Sequence, residues 1–501
     1  MRYYISTLGC QMNVLDSELL EADLQAAGHS PAESVRKADL ILFNTCSVRG
    51  HAEDKVYSAL GRLKHLKEHR PHAVIGVLGC MAQKDRESII RRAPHVDVVV
   101  GPGRLWRLPE LIELVCRDRQ PRIEVSLNPA ENDREAVRAS FVPYDSRRGG
   151  VPRSARRQAF VRIMFGCNMA CSYCIVPSVR GPEQSRPADA IVAEVRRLTD
   201  AGCREVTLIG QTVNSYCDRS AGSTVRLADQ LARLDALPGP RRIRYVTNHP
   251  RFMTDPLLQA VRDLPRVCPY LHVPAQSGSD SVLKRMKRGY TIAYYNEMLD
   301  RIRAIIPEAA VTSDFIVGFS GETDGDFAQT VELVRRARFK NSFIFKYSPR
   351  PGTWAAERLP DDVPESVKRQ RNNELLAVQN AISREDNQRL VGQTVEVLVE
   401  GPSKAARKSS AATAQAARPQ DAPAVPTPPR IGDDLPAGLT QLVGRTVCDQ
   451  IVVFDGLPQW AGEFRRVKID RADAVTLFGC DQTLSDPAEN ARQPLPLPII
   501  G

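Results

Sequence analysis

No stretch of this chain is apolar for long enough to cross a membrane as a helix, and no signal-peptide pattern opens it. The first absence excludes a helical membrane span. With 12 cysteines in the chain, both absences point to a reducing, cytoplasmic setting in which cysteines serve as ligands, not disulfides. A strong charge imbalance is also missing. Lys and Arg number 69 against 59 Asp and Glu, a net +10. That small excess leans towards a polyanionic partner such as nucleic acid without demanding one. The remaining composition is ordinary. The chain has 501 residues, 42% of them hydrophobic, which suits about three domains with cores of their own.

One further absence is local. Cys167, Cys171 and Cys174 stand at C-x3-C-x2-C spacing, directly after an apolar run, Phe160 to Phe165, that reads as a strand. No fourth ligand lies nearby, since the next Cys or His are Cys203 and His249. Structural zinc takes four ligands. A 4Fe–4S cluster accepts three thiolates and leaves one iron open. The residues alone also admit a zinc knuckle or a redox cysteine cluster. The spacing, with the aromatic Tyr173 before the last cysteine, resembles the radical S-adenosylmethionine (SAM) superfamily. That resemblance implies that SAM chelates the open iron and is split reductively to methionine and a 5′-deoxyadenosyl radical.

Residues 1–118 alternate strand and helix patterns, the mark of a parallel, Rossmann-like α/β domain. The strands are expected at Tyr3–Leu8, Leu40–Thr45, Val74–Leu78 and Val96–Val100. Cys10, Cys46 and Cys80 each close one of the first three strands, spaced by 36 and 34 residues (46 − 10 and 80 − 46). Parallel strands bring equivalent ends to one sheet edge, so the three thiols should meet there. Gly9 and Gly79 are expected to let the backbone approach what they hold. Three buried structural thiols are the alternative. Cys116, Cys203, Cys217, Cys268, Cys448 and Cys480 show no such pattern and read as structural. Leu8-Gly-Cys-Gln-Met-Asn13, followed by Asp16-Ser17-Glu18, resembles the tRNA branch of the methylthiotransferase family. The ribosomal-protein branch carries Pro-Lys where this chain has Gln11-Met12. The resemblance implies that Cys10, Cys46 and Cys80 hold an auxiliary 4Fe–4S cluster that carries or donates sulfur.

Residues 119–157 are rich in Arg, Pro and acidic residues and read as a linker. Its basic end, Arg147 to Arg157, is either a solvated link or a strip facing RNA phosphates. Residues 158–385 hold six strand patterns, at Phe160–Phe165, Val206–Ile209, Ile243–Val246, Tyr270–Val273, Val311–Val317 and Asn341–Tyr347. Six β/α units make a partial barrel whose open side suits a large substrate. Tyr173, Gln211, Asn214, Gln276, Asp314 and Glu322 are the candidate SAM contacts at or after strand ends. The resemblance implies that the second strand's end takes the SAM amine and the fifth helps hold the adenine. Capping and turn chemistry is the alternative for each. Arg180, Arg186, Arg285 and Arg288 are candidate RNA contacts at the barrel mouth, with a solvated basic face as the alternative. Met169-Ala170 and Ser320 depart from the family's usual residues.

Residues 386–480 carry short alternating segments, at Val395–Gly401, Thr446–Phe454, Phe464–Ile469 and Ala474–Phe478. They predict a small antiparallel β-barrel. Leu390-Val-Gly-Gln-Thr394, Leu442-Val-Gly-Arg-Thr446, Ile451-Val-Val-Phe-Asp-Gly456 and Thr476-Leu-Phe-Gly479 resemble the TRAM RNA-binding module. The insert at 402–438, full of Ala, Ser and Pro, and the tail at 481–501 are expected to be disordered.

The whole chain is thus expected to be an α/β multidomain protein. The resemblance implies a transferase that methylthiolates C2 of N6-isopentenyladenosine beside the anticodon of tRNA. It implies two SAM molecules, two 4Fe–4S clusters, an external electron donor, a sulfur donor that the sequence does not identify, and a cytoplasmic monomer away from membranes. No acid or base is assigned, because an aryl C–H is too weak an acid for a side-chain base. Two alternatives stay open. One is the same chemistry on threonylcarbamoyladenosine tRNA or a ribosomal protein. The other is an RNA-binding Fe–S module without catalysis.

Overall fold

A computed structural model of the chain describes residues 1–47, 50–125, 157–220, 222–407 and 438–485. Most of the expected linker with its basic run, the body of the insert and the end of the tail lie outside these residues. Among the described residues no helix is long and apolar enough to cross a membrane.

The first domain is a six-stranded parallel sheet. Its strands are β1 (Arg2–Leu8), β2 (Ser30–Pro31), β3 (Leu40–Thr45), β4 (Val74–Gly79), β5 (Val98–Val100) and β6 (Arg122–Glu124), in the order β2-β1-β3-β4-β5-β6. β3 and β4 read LILFNT and VIGVLG and are buried throughout, as befits strands covered on both faces. Helix α1 (Gln11–Ala26) and the helix Leu108–Asp118 pack on one face, and the helix Gly50–His69 on the other. One expectation is corrected. The domain does not end at 118, because β6 pairs in register with β5. Two short helices, Cys80–Asp85 and Glu87–Arg92, follow β4 and are separated at Arg86 with φ of 46°.

The barrel of the central domain is built, among the described residues, from six strands: β7 (Gln158–Arg162), β8 (Glu205–Ile209), β9 (Arg242–Tyr245), β10 (Tyr270–His272), β11 (Ala310–Val317) and β12 (Asn341–Lys346). They form two parallel sheets, β9-β8-β7 and β10-β11-β12, joined by a bridge from Ile243 to Val267. β7 and β12 are the unpaired outer edges, so the barrel is open along one seam. Phe343 and Phe345 of β12 are 50% and 40% exposed there. The first strand is shorter than its apolar run. Met164–Phe165 leaves the barrel to pair with Gln184–Ser185. The 24-residue helix Glu365–Gln388 was not anticipated; it lies on β12 and buries Lys368, Arg371 and Gln379.

The third domain is a closed five-stranded barrel of β13 (Thr394–Pro402), β14 (Thr440–Arg445), β15 (Ile451–Gly456), β16 (Phe464–Ala472) and β17 (Thr476–Asp481), in the order β13-β14-β15-β17-β16. Four pairings are antiparallel, and β15 with β17 is parallel. The strand expected at Thr446–Phe454 begins only at Ile451. Residues 446–450 form the turn after β14, with Asp449 at φ of 63°. That turn stoppers the N-terminal end of the central barrel. Arg242 donates to the Arg445 carbonyl at 2.8 Å, and Arg244 to those of Thr446 and Val447 at 2.6 and 2.9 Å. Lys340 donates to the Asp449 carbonyl.

Candidate active site

Sheet register brings the first cysteine triad together. Leu8 pairs with Thr45, and Thr45 with Gly79, so Cys10, Cys46 and Cys80 leave three adjacent strands at one edge. Cys10 caps α1, and Cys80 begins its helix, so helix N-termini favour the thiolates. A hydrogen bond with the Cys46 side chain, aided by Arg180, brings the Cys10 thiol down to about 6 against the opposing effect of desolvation. Burial pushes the Cys80 thiol up, and Arg180 opposes it.

Beneath the triad lies a buried amide layer that the sequence analysis did not single out. Asn13 Oδ1 accepts from the Cys10 N–H at 3.3 Å, and Asn13 Nδ2 donates to Asn44 Oδ1 at 3.0 Å. Asn44 Nδ2 donates to the Asn13 carbonyl and to Ser17 Oγ, both at 2.9 Å. This layer explains the two glycines differently from expectation. A Cβ on Gly9 would sit 2.3 Å from Asn13 Oδ1, and one on Gly79 2.5 Å from Asn44 Oδ1. The glycines make room for the amides that set the cysteine loops.

The second triad follows the Met164–Phe165 strand. Gly166, at φ of 71°, starts the loop, and a Cβ there would meet the Pro182 carbonyl at 2.1 Å. The loop is pinned by the Cys167 N–H to the Gly181 carbonyl at 3.1 Å, the Ser172 N–H to Met286 at 3.0 Å, and Ser172 Oγ to Arg285 at 2.7 Å. Thr212 Oγ1 lies 3.4 Å from Cys167 Sγ. Arg288 donates to Cys171 Sγ at 3.3 Å. Burial, reinforced by Cys171, pushes the Cys174 thiol up to about 12.

All six cysteines line a single cavity of about 1060 Å³, at the upper end of the ~300–1,000 Å³ typical of ligand sites. Each triad is thiolate-only, and each has a buried arginine N–H at one sulfur. That donor set fits a three-thiolate iron–sulfur cluster. Among the described residues no three His, Cys, Asp or Glu side chains converge to grip a single ion.

The candidate SAM contacts divide. Tyr173, Gln211, Gln276 and Asp314 line the cavity. Gln211 Oε1 and Asp314 Oδ1 are buried without a protein partner, which leaves them for a polar ligand. Asp314 also stands 3.5 Å from His272. Tyr173 packs edge-on against Phe319 at 6.3 Å. Asn214 and Glu322 lie outside the cavity lining. Asn214 clamps the backbone N–H and carbonyl of His249, both at 2.9 Å. Glu322 pairs with Arg371 at 2.8 Å and accepts from the Gly318 N–H. His249 lines the cavity and was missed. Its Nδ1 accepts from the Arg251 N–H at 3.3 Å, so the proton sits on Nε2, which has no protein partner. Burial, with Arg288 and Arg251, lowers its pKa to about 3.

The arginines expected on an RNA-facing surface are corrected. Arg180, Arg186 and Arg288 are buried. Arg186 pairs with Glu194. Arg288 serves Cys171, the Pro274 carbonyl and Tyr290. Arg180 reaches into the first domain, to Cys80 Sγ at 3.3 Å and Asp16 at 3.0 Å. Arg285 is partly exposed and donates to the Gly321 carbonyl.

Comparison with known proteins agrees with this geometry. Residues 2–101 match the Uncharacterized protein family UPF0004, and residues 161–334 match the Radical SAM superfamily. A tRNA-2-methylthio-N(6)-dimethylallyladenosine synthase of Rhodopirellula baltica is 52% identical over 481 residues, 96% of this chain and 95% of that one. Its counterpart in Moorella thermoacetica is 42% identical over 95% of this chain and 97% of its own. Among solved structures, the radical SAM methyltransferase TsrM of Kitasatospora setae, with cobalamin and a [4Fe-4S] cluster bound, shares the fold at a TM-score of 0.50 and 15% identity, over 71% of this chain and 77% of its own. By likeness over nearly its whole length, this chain belongs to the tRNA-2-methylthio-N(6)-dimethylallyladenosine synthase family of radical SAM proteins.

Proposed function

We propose that this chain transfers a methylthio group to C2 of N6-dimethylallyladenosine in tRNA. The observation that carries the proposal is the convergence of two cysteine triads, from different domains, on one cavity. The relatives' shared name supports the substrate. Cys10, Cys46 and Cys80 would hold one 4Fe–4S cluster, and Cys167, Cys171 and Cys174 the other. When bound, the clusters and SAM would supply the sulfur and radical chemistry that a side-chain base cannot bring to an aryl C–H. The chain's own residues set the stage. The Asn13–Asn44 layer orients the first triad's loops. Gln211, Gln276, Asp314 and the Nε2–H of His249 present polar groups to SAM. The C-terminal barrel is read as the tRNA-binding domain, with residues 1–125 as the auxiliary domain and 157–388 as the radical domain. The proposal includes an external one-electron donor and action as a cytoplasmic monomer.

The test compares Cys46→Ala with Cys171→Ala. Iron per chain should fall by about half in each, as one of two clusters disappears. Cys171→Ala should lose 5′-deoxyadenosine formation. Cys46→Ala should keep it but make no methylthio product. Full iron with full transfer in Cys46→Ala refutes the proposal.

A further inference from the structure

We propose that Arg180 is a positioning residue for the sulfur chemistry of the Cys10–Cys46–Cys80 site, holding the Cys80 sulfur with one N–H and offering another to an anionic sulfur ligand, a thiolate or hydrosulfide. This rests on the reading that those cysteines carry a cluster. Arg180 ends the helix Val176–Arg180 of the central domain, yet its guanidinium belongs to the first. It is 2% exposed. Nε lies 3.3 Å from Cys80 Sγ, and Nη2 lies 3.0 Å from Asp16 Oδ2. Nη1 is buried and has no protein partner, although Arg180 lines the cavity with the cysteines.

Two observations turn this into a site. The Asp16 carboxylate that Arg180 meets is shared with Arg162 at 3.0 Å, so a fully buried anion fixes the guanidinium beside Cys80. Second, Arg288, the matching arginine at Cys171, has all three nitrogens engaged: Nε with Tyr290, Nη1 with Cys171 and Nη2 with the Pro274 carbonyl. Of the two, only Arg180 keeps a guanidinium nitrogen with no protein partner. Lysine cannot replace it, because a point charge lacks the planar fork that serves three directions at once.

The experiment uses the iron-loaded full chain and sodium methanethiolate as the probe. EPR-monitored redox titration of Arg180→Lys should move the auxiliary cluster to a more negative potential, because N–H···S bonds favour the reduced form. The radical cluster should stay in place. Methanethiolate affinity should weaken about tenfold, as for a lost hydrogen bond to a charged group. Arg288→Lys should move the other cluster instead. A second measurement needs no variant. With 15N-arginine incorporated, pulsed EPR should detect arginine nitrogen at the auxiliary cluster, with coupling that grows when methanethiolate binds. Unchanged potential and affinity in Arg180→Lys, or coupling indifferent to methanethiolate, overturns the inference. Full iron in Cys46→Ala would instead overturn the two-cluster reading beneath it.

Discussion

Asp16→Asn tests how the first two domains are held. Asp16 lies on α1 with no exposed surface. One carboxylate oxygen meets Arg162 and the other meets Arg180, each at 3.0 Å. Asparagine keeps the shape but offers one acceptor. Its NH2 then faces a guanidinium, donor against donor, and both guanidinium groups lose the Asp16 charge. Removing one partner of a buried pair costs about 3–5 kcal/mol. At about 2–4 °C per kcal/mol for folding units of 150–250 residues, the first calorimetric transition of the iron-loaded chain should fall by about 6–20 °C. Two comparisons fix the cause. Glu33→Gln, at the exposed pair with Lys37, should leave the transition unmoved. Arg162→Met in the Asp16→Asn background should recover part of the loss, because it removes the guanidinium that the new amide opposes. An Asp16→Asn transition no lower than that of Glu33→Gln would refute the reasoning.

Arg244→Met should leave the buried Thr446 carbonyl without its donor, at about 1–3 kcal/mol, and remove the part-buried bond to the Val447 carbonyl. Limited proteolysis between residues 388 and 394 should then quicken while SAM cleavage persists; an unchanged digestion pattern contradicts the stoppered barrel. His249 should give a pH signature. Its folded pKa, about 3, lies below the ordinary 6.5, so the unfolded chain binds the proton more readily between those values. Its contribution to stability is complete above pH 6.5 and is lost as pH falls through that window. Urea midpoints measured from pH 5 to 7.5 should show this slope in the unaltered chain and a shallower one in His249→Gln; identical slopes refute the buried neutral ring.

The cysteine spacings and the six central strands were legible because most of these strands are local, largely apolar runs and the cysteines stand just past strand ends. What escaped depended on partners far along the chain. Arg180 and Arg288 sit in basic, polar stretches and read as RNA contacts or a solvated face, but they are buried against Asp16, Cys80 and Cys171. The helix Glu365–Gln388 hides its inward face, because that face is partly Lys368, Arg371 and Gln379. Gln379 reaches the Phe339 carbonyl at 2.7 Å, and Arg371 reaches Glu322 at 2.8 Å. β6 spans three residues, too few for any alternation to register. The turn at 446–450 sits inside an apolar, polar-punctuated run, and Cys448-Asp449 carries no glycine to mark it.

The Asp16–Arg180 bridge also sets a timetable for biosynthesis. The two residues are 164 positions apart. At about 5–20 residues per second, the ribosome needs about 8 to 33 s after Asp16 to make Arg180. Through that interval the nascent first domain has its three thiols and its amide layer, but neither guanidinium that Asp16 is built to meet. The amino-terminal quarter of the chain therefore emerges before the arginines that meet its buried carboxylate. The edge that carries Cys10, Cys46 and Cys80 stays uncovered until the second triad and the helix behind it have left the exit tunnel.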